Sequence, residues 1–106
     1  MAMNVVRLLA AVALLVPLSA NAQITIGVNL SITGPGAALG IQTNNTVRLW
    51  PATLGGQPAR YVILDDGTDV IRSVKNTRKL TSEDKVDAIA GPNTTAAALA
   101  TLDVLA

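Results

Sequence analysis

The residues of this 106-residue chain best suited to chemistry are Thr94 and Thr95, which follow the turn Gly91-Pro92-Asn93 and open a segment rich in Ala and Leu. Two hydroxyls placed there stand beside the unpaired N–H groups of a starting helix. Donors and helix dipole together favour an anion at such a point, a carboxylate for example. The same residues admit a plainer reading, in which Asn93 or Thr94 caps the helix. A second candidate is the turn Thr33-Gly34-Pro35-Gly36-Ala37-Ala38-Leu39-Gly40. Its glycines at 34, 36 and 40 would let a ligand come close to the backbone, or would only turn a strand into a helix.

The third candidate is the acidic turn Asp65-Asp66-Gly67-Thr68-Asp69. Read as a calcium loop, it lacks the bidentate acid required near its twelfth position, where Asn76 stands. The expectation is therefore a solvated turn in which Asp69 caps the next helix. No metal and no cofactor is called for. Arg72, Lys75 and Lys79 are expected on the solvent side of that helix.

Catalysis is not expected. The chain has no His and no Cys, which removes Ser-His and Cys-His nucleophile pairs together with the usual zinc and haem ligands. Any pair of carboxylates for acid–base work would come from Asp65, Asp66 and Asp69, all in one polar turn without an apolar pocket to separate their pKa values. A nucleotide-binding module is the main enzyme-class rival, because Gly34-Pro35-Gly36 follows a strand. The third glycine, however, comes one residue late for the dinucleotide fingerprint, and Pro35 removes an N–H that a pyrophosphate would use.

The elements that must position these residues alternate. Ile24 to Leu30 reads as a strand, about Ala38 to Trp50 as a weakly amphipathic helix with Leu39, Val47 and Trp50 on one side, and Pro51 as its stop. Leu54 to Pro58 reads as a turn and Arg60 to Leu64 as a second strand. Val70 to Ser82 reads as a helix whose apolar face is Val70, Ile71, Val74 and Leu80. Val86 to Ala90 is a third short strand, before the last helix. The order β-α-β-α-β-α implies a parallel sheet with right-handed crossovers and helices on both faces. In such sheets ligands lie beyond the carboxyl ends of the strands, where the three candidate loops leave.

Ahead of the first strand come one cation, Arg7, an apolar run from Leu8 to Leu18, and small residues at Ser19, Ala20 and Ala22. That is the order of a secretory signal peptide, with cleavage after Ala22 and delivery to the periplasm expected. The run is too short to span a bilayer, which takes about 20 residues. A domain over 23–106 would carry seven Lys plus Arg (eight less Arg7) against seven Asp plus Glu, a net charge of zero. With one Trp, one Tyr and no Phe it offers neither the basic field nor the stacking surface of a nucleic-acid binder. A domain of that size has a thin core.

Three segments, Ile24 to Gly40, Gly55 to Asp66 and Lys75 to Pro92, resemble in register the start of the periplasmic branched-chain amino acid binding proteins, the type I solute receptors of ATP-driven importers. The resemblance covers everything after the leader. It implies the N-terminal lobe of a two-lobed α/β clamshell that closes on an amino-acid-type ligand and then meets permease subunits at the inner membrane. The loop matching Gly91 to Thr95 would hold the ligand carboxylate, with Thr95 as the main contact and Thr94 as the second. The first loop would contribute Gly34 and the side chain at the position of Leu39, where such receptors often carry an aromatic ring. Val70 stands where a proline is usual. Members run to several hundred residues, so the chain is expected to encode an incomplete three-layer lobe and half a site, and to bind no amino acid detectably alone. A ligand-sensing receptor or regulator domain of the same fold is the alternative.

Overall fold

The computed structural model describes residues 22–106. Residues 1–21, and with them nearly all of the expected leader, lie outside the described residues. The elements are β1 (Ile24–Leu30), α1 (Ala37–Val47), β2 (Thr53–Leu54), β3 (Gln57–Asp65), α2 (Val70–Arg78), a π-helical turn (Lys79–Glu83), β4 (Ala88–Ala90) and α3 (Thr95–Leu105).

β1 is rich in β-branched residues and occupies the middle of the sheet, whose order is β2-β3-β1-β4. It pairs in parallel with β3 from Ile24–Ala59 to Leu30–Asp65, and with β4 from Ile26–Ala88 to Val28–Ala90. Successive side chains of a strand alternate between its faces. On one face Val28 and Leu30 are fully buried with Val47 of α1, and Ile26, Ile32, Trp50, Tyr61 and Ile63 pack around them. On the other face lie Gly27 and Asn29. Gly27 gives room to Leu80, since a Cβ there would lie 2.9 Å from Leu80 Cδ2. Helices therefore cover both sides of the sheet, α1 on one and α2 with α3 on the other.

Three local readings change. α1 ends at Val47, not Trp50. Trp50 still reaches the core, and its ring meets that of Tyr61 edge-on at 5.4 Å. Leu39, expected beside Val47 and Trp50, is 59% exposed. The stretch read as a plain turn at Leu54 to Pro58 is a hairpin in which β2 pairs antiparallel with β3. Gly55 and Gly56 supply the positive φ angles, 55° and 77°, that a two-residue hairpin loop demands.

The largest change is in α2. Of the expected apolar face, Leu80, in the π-helical turn, is fully buried and Val74 half-buried, but Val70 and Ile71 are exposed, and the fully buried residues of α2 itself are Ser73 and Thr77. The cause is Asn29. Its Nδ2 donates to the Ser73 carbonyl (3.0 Å), Ser73 Oγ (2.9 Å) and Thr77 Oγ1 (3.2 Å), and its Oδ1 accepts from Asn76 Nδ2 (3.1 Å). A buried amide left without partners costs more than an apolar contact returns, so the polar stripe of the helix turns inward. Asp69 caps α2 as read, with Oδ1 accepting from the Arg72 N–H at 2.6 Å. Asp69→Ala is expected to lower stability by about 1 kcal/mol, as read by urea denaturation. α3 buries Ala97 and Thr101 and leaves Leu99, Leu102 and Leu105 exposed.

Candidate functional site

All three candidate loops leave the carboxyl end of the parallel strands, with the loop after β1 between the other two. The acidic turn is not a solvated loop. Asp66 is fully buried, and Asp65 reaches across to the first loop. Oδ1 of Asp65 accepts from the N–H groups of Ile32 (2.9 Å), Thr33 (3.2 Å) and Gly67 (2.9 Å), and Oδ2 accepts from Thr33 Oγ1 (2.6 Å). Thr68 returns the link, donating its hydroxyl to the Thr33 carbonyl (2.8 Å) and accepting from the Gly36 N–H (2.9 Å). The physical reason is the parallel pairing of Leu30 with Asp65, which sets both loops off from the same sheet level.

Burial pushes the Asp65 carboxyl up, but the hydrogen bonds from the Thr33 hydroxyl and from the Gly67, Thr33 and Ile32 amides outweigh it. The net result is a pKa below the usual 3.8. Its carboxylate is thus spent on the protein's own donors.

The glycines of the first loop serve the same contact. Gly34 has φ 80°, and a Cβ there would lie 2.3 Å from the Gly67 carbonyl oxygen. The close approach that Gly34 permits is made by the second loop. Leu39 lies in the first turns of α1, with its side chain largely exposed.

The third loop leaves an open helix terminus. Thr94 occupies the N-cap position with φ −114° and ψ 143°, and its side chain makes no hydrogen bond to the first turn of α3. Asn93 does not cap either, because its Oδ1 accepts from the Ser31 N–H at 2.9 Å. Of the two residues offered as simple caps, Asn93 is thus engaged elsewhere and Thr94 stands at the cap position without a hydrogen bond to the helix. The first intrahelical bond runs from the Ala98 N–H to the Thr94 carbonyl at 2.9 Å. The N–H groups of Thr95, Ala96 and Ala97 precede it and have no partner in the helix. Thr95 and Ala96 are exposed, whereas Ala97 is buried.

Sequence reasoning passed over Ser31, and did not separate the buried Asp66 from its neighbours. The available signal was a polar residue directly after an apolar strand, opposite an acidic pair at the end of the next.

A family model described as periplasmic binding protein matches residues 23–106, which include all three loops. The chain belongs to the periplasmic binding protein family. An extracellular ligand-binding receptor from Rhodopseudomonas palustris HaA2 is 42% identical with a TM-score of 0.78, over 80% of this chain and 24% of that one. A solute-binding protein of an ABC transporter from Rhodopseudomonas palustris BisB5, solved with 3,4-dihydroxybenzoic acid, is 28% identical with a TM-score of 0.73, over 77% and 24%. A leucine-binding protein from Thermotoga maritima, 24% identical with a TM-score of 0.73 over 76% and 24%, shares the fold. No match was found among curated proteins. The chain spans about a quarter of the length of these periplasmic binding protein relatives.

Proposed function

We propose that residues 23–106 form the first-lobe wall of a solute receptor for ABC import, which holds a small carboxylate ligand, an amino acid or a related acid, without altering it. The observation that carries this reading is the start of α3, which no side chain caps and where the exposed Thr95 and Ala96 offer their N–H groups beside the Thr94 and Thr95 hydroxyls. Partial positive charge and four donors at one point suit a carboxylate. Thr95, exposed at the first helical position, is the principal contact and Thr94 the second. Leu39 lies over the ligand from the first loop, and Gly34 shapes that loop from behind. The related solute-binding protein with 3,4-dihydroxybenzoic acid also takes a carboxylate, and at 28% identity it favours an importer over a sensor. A leader over residues 1–22, cleaved after Ala22, delivers the receptor to the periplasm, where permease subunits are its partners.

One wall of a cleft contributes only part of the binding energy, so affinity at this lobe is expected at about 1 mM or weaker, below what calorimetry detects and within reach of chemical-shift titration. The test is a ¹H–¹⁵N titration of the chain with isovalerate, and in parallel with isovaleramide, which has the same shape without the charge. Shifts confined to Thr95–Ala98 and produced by the carboxylate alone are expected. Equal shifts with the amide, or carboxylate shifts centred elsewhere, contradict the reading.

A further inference from the structure

Ser31 is the point at which the three loops are joined. It directly follows β1, the middle strand, and is fully buried. Its N–H donates to Asn93 Oδ1 at 2.9 Å, reaching the third loop. Its hydroxyl donates to Asp66 Oδ1 at 2.7 Å, reaching the second, and the same oxygen accepts from the Thr68 N–H at 2.8 Å. Its carbonyl lies against Gly40 of α1.

Two details set this cluster apart from ordinary loop packing. Asn93 is adjacent to the N-cap of α3 and is among the best capping residue types, yet its acceptor oxygen is turned away from the helix toward Ser31. Asp66 Oδ2 and Asn93 Nδ2 are both buried and without a hydrogen-bond partner among the described residues. Buried polar atoms are nearly always paired, and a set that leaves two unpaired is not arranged for stability alone. The arrangement does two things to the start of α3: it fixes the helix against the first loop, and it holds the Asn93 side chain away from the free N–H groups.

Resting on the carboxylate reading above, we infer that Asn93, Ser31 and Asp66 form a positioning relay that holds the α3 terminus open and in register for its ligand. None of the three touches the ligand; Asn93 acts through the backbone of Thr94 and Thr95.

The experiment compares the chain with its Asn93→Ala and Asn93→Asp variants, reading amide hydrogen exchange at Ser31 and isovalerate-induced shifts at Thr95–Ala97. Asn93→Ala is expected to speed exchange at Ser31 by about tenfold, leave Val28 and Leu30 protected, and remove most of the isovalerate shifts. Asn93→Asp keeps the acceptor oxygen and is expected to restore protection at Ser31. Unchanged exchange at Ser31 in Asn93→Ala overturns the relay, and so does a loss of protection spread evenly over β1 and β3, which would mark a purely structural role. Should Asn93→Ala fail to fold, the scalar coupling across the hydrogen bond from Ser31 nitrogen to Asn93 Cγ in the unsubstituted chain decides: present supports the relay, absent overturns it. An unsubstituted chain without carboxylate-specific shifts at Thr95–Ala97 overturns the proposed function instead, and the Ser31 measurements still decide the relay.

Discussion

Gly40→Ala is expected to destabilise the domain by about 3 kcal/mol and to abolish or sharply lower its urea midpoint. In an exposed helix the same substitution would stabilise by up to about 1 kcal/mol, because alanine is the better helix former. The sign reverses here because a Cβ on Gly40 would lie 1.9 Å from the Ser31 carbonyl oxygen and 2.9 Å from the Ile32 nitrogen. These are backbone atoms of the central strand's exit and cannot rotate aside. α1 would have to lift from the sheet, opening the cluster of Val28, Leu30 and Val47. A core this thin has little stability to lose. Gly55→Ala is the matched control. Nothing lies within 4 Å of a Cβ there, and only the positive φ of 55° opposes it, at about 1 kcal/mol. Gly55→Ala more damaging than Gly40→Ala would refute the packing of α1 on Ser31.

Asp65→Asn should be the most damaging substitution among the loop side chains, at about 2 kcal/mol. Four hydrogen bonds converge on this carboxylate, three from backbone N–H groups on Oδ1 and one from the Thr33 hydroxyl on Oδ2; an asparagine can keep its oxygen toward the N–H groups but loses the charge that strengthens all four bonds and turns an NH2 toward Thr33 Oγ1. The bonds from Ile32, Thr33 and Gly67 would weaken, so faster amide exchange at these three residues accompanies the loss. The effect depends on pH with a definite sign. The Asp65 pKa is lower in the folded chain than the usual 3.8. Its contribution is therefore complete above the unfolded value and disappears as pH falls through 3.8 toward the lower folded value. The stability gap between the parent and Asp65→Asn should be constant from neutral pH down to about pH 5 and close below 3.8. A gap that widens in acid would contradict the hydrogen-bonding scheme.

The alternation of strands and helices was legible in the sequence because it rests on features that tertiary contacts seldom override. Ile24 to Leu30 is β-branched, Pro51 and Gly91-Pro92 punctuate the chain, and Asp69 precedes a helix. The family, too, could be read from segments in register. What could not be read is where polar residues point. Ser73 and Thr77 look like solvent-facing residues of α2 until Asn29 supplies buried partners from a strand 44 and 48 positions earlier. Asp66 looks like its neighbour Asp65, yet one is sealed under the loops and the other spans two of them. Hydrophobic periodicity carries no term for such long-range hydrogen bonds. Thr94 and Thr95 were picked out correctly as flanking a helix start. Whether that start was capped depended on Ser31, 62 residues away from Asn93, and no local pattern contains that relation.

The central claim is that the start of α3, with Thr95, holds a carboxylate. It is tested most directly by comparing the isovalerate affinity of the chain with that of Thr95→Val, which keeps side-chain shape and removes one donor, with folding checked by the urea midpoint. The account predicts an unchanged midpoint and an affinity lower by about fivefold or more, the share of one hydrogen bond to a charged group. Equal affinity in the two proteins would contradict it.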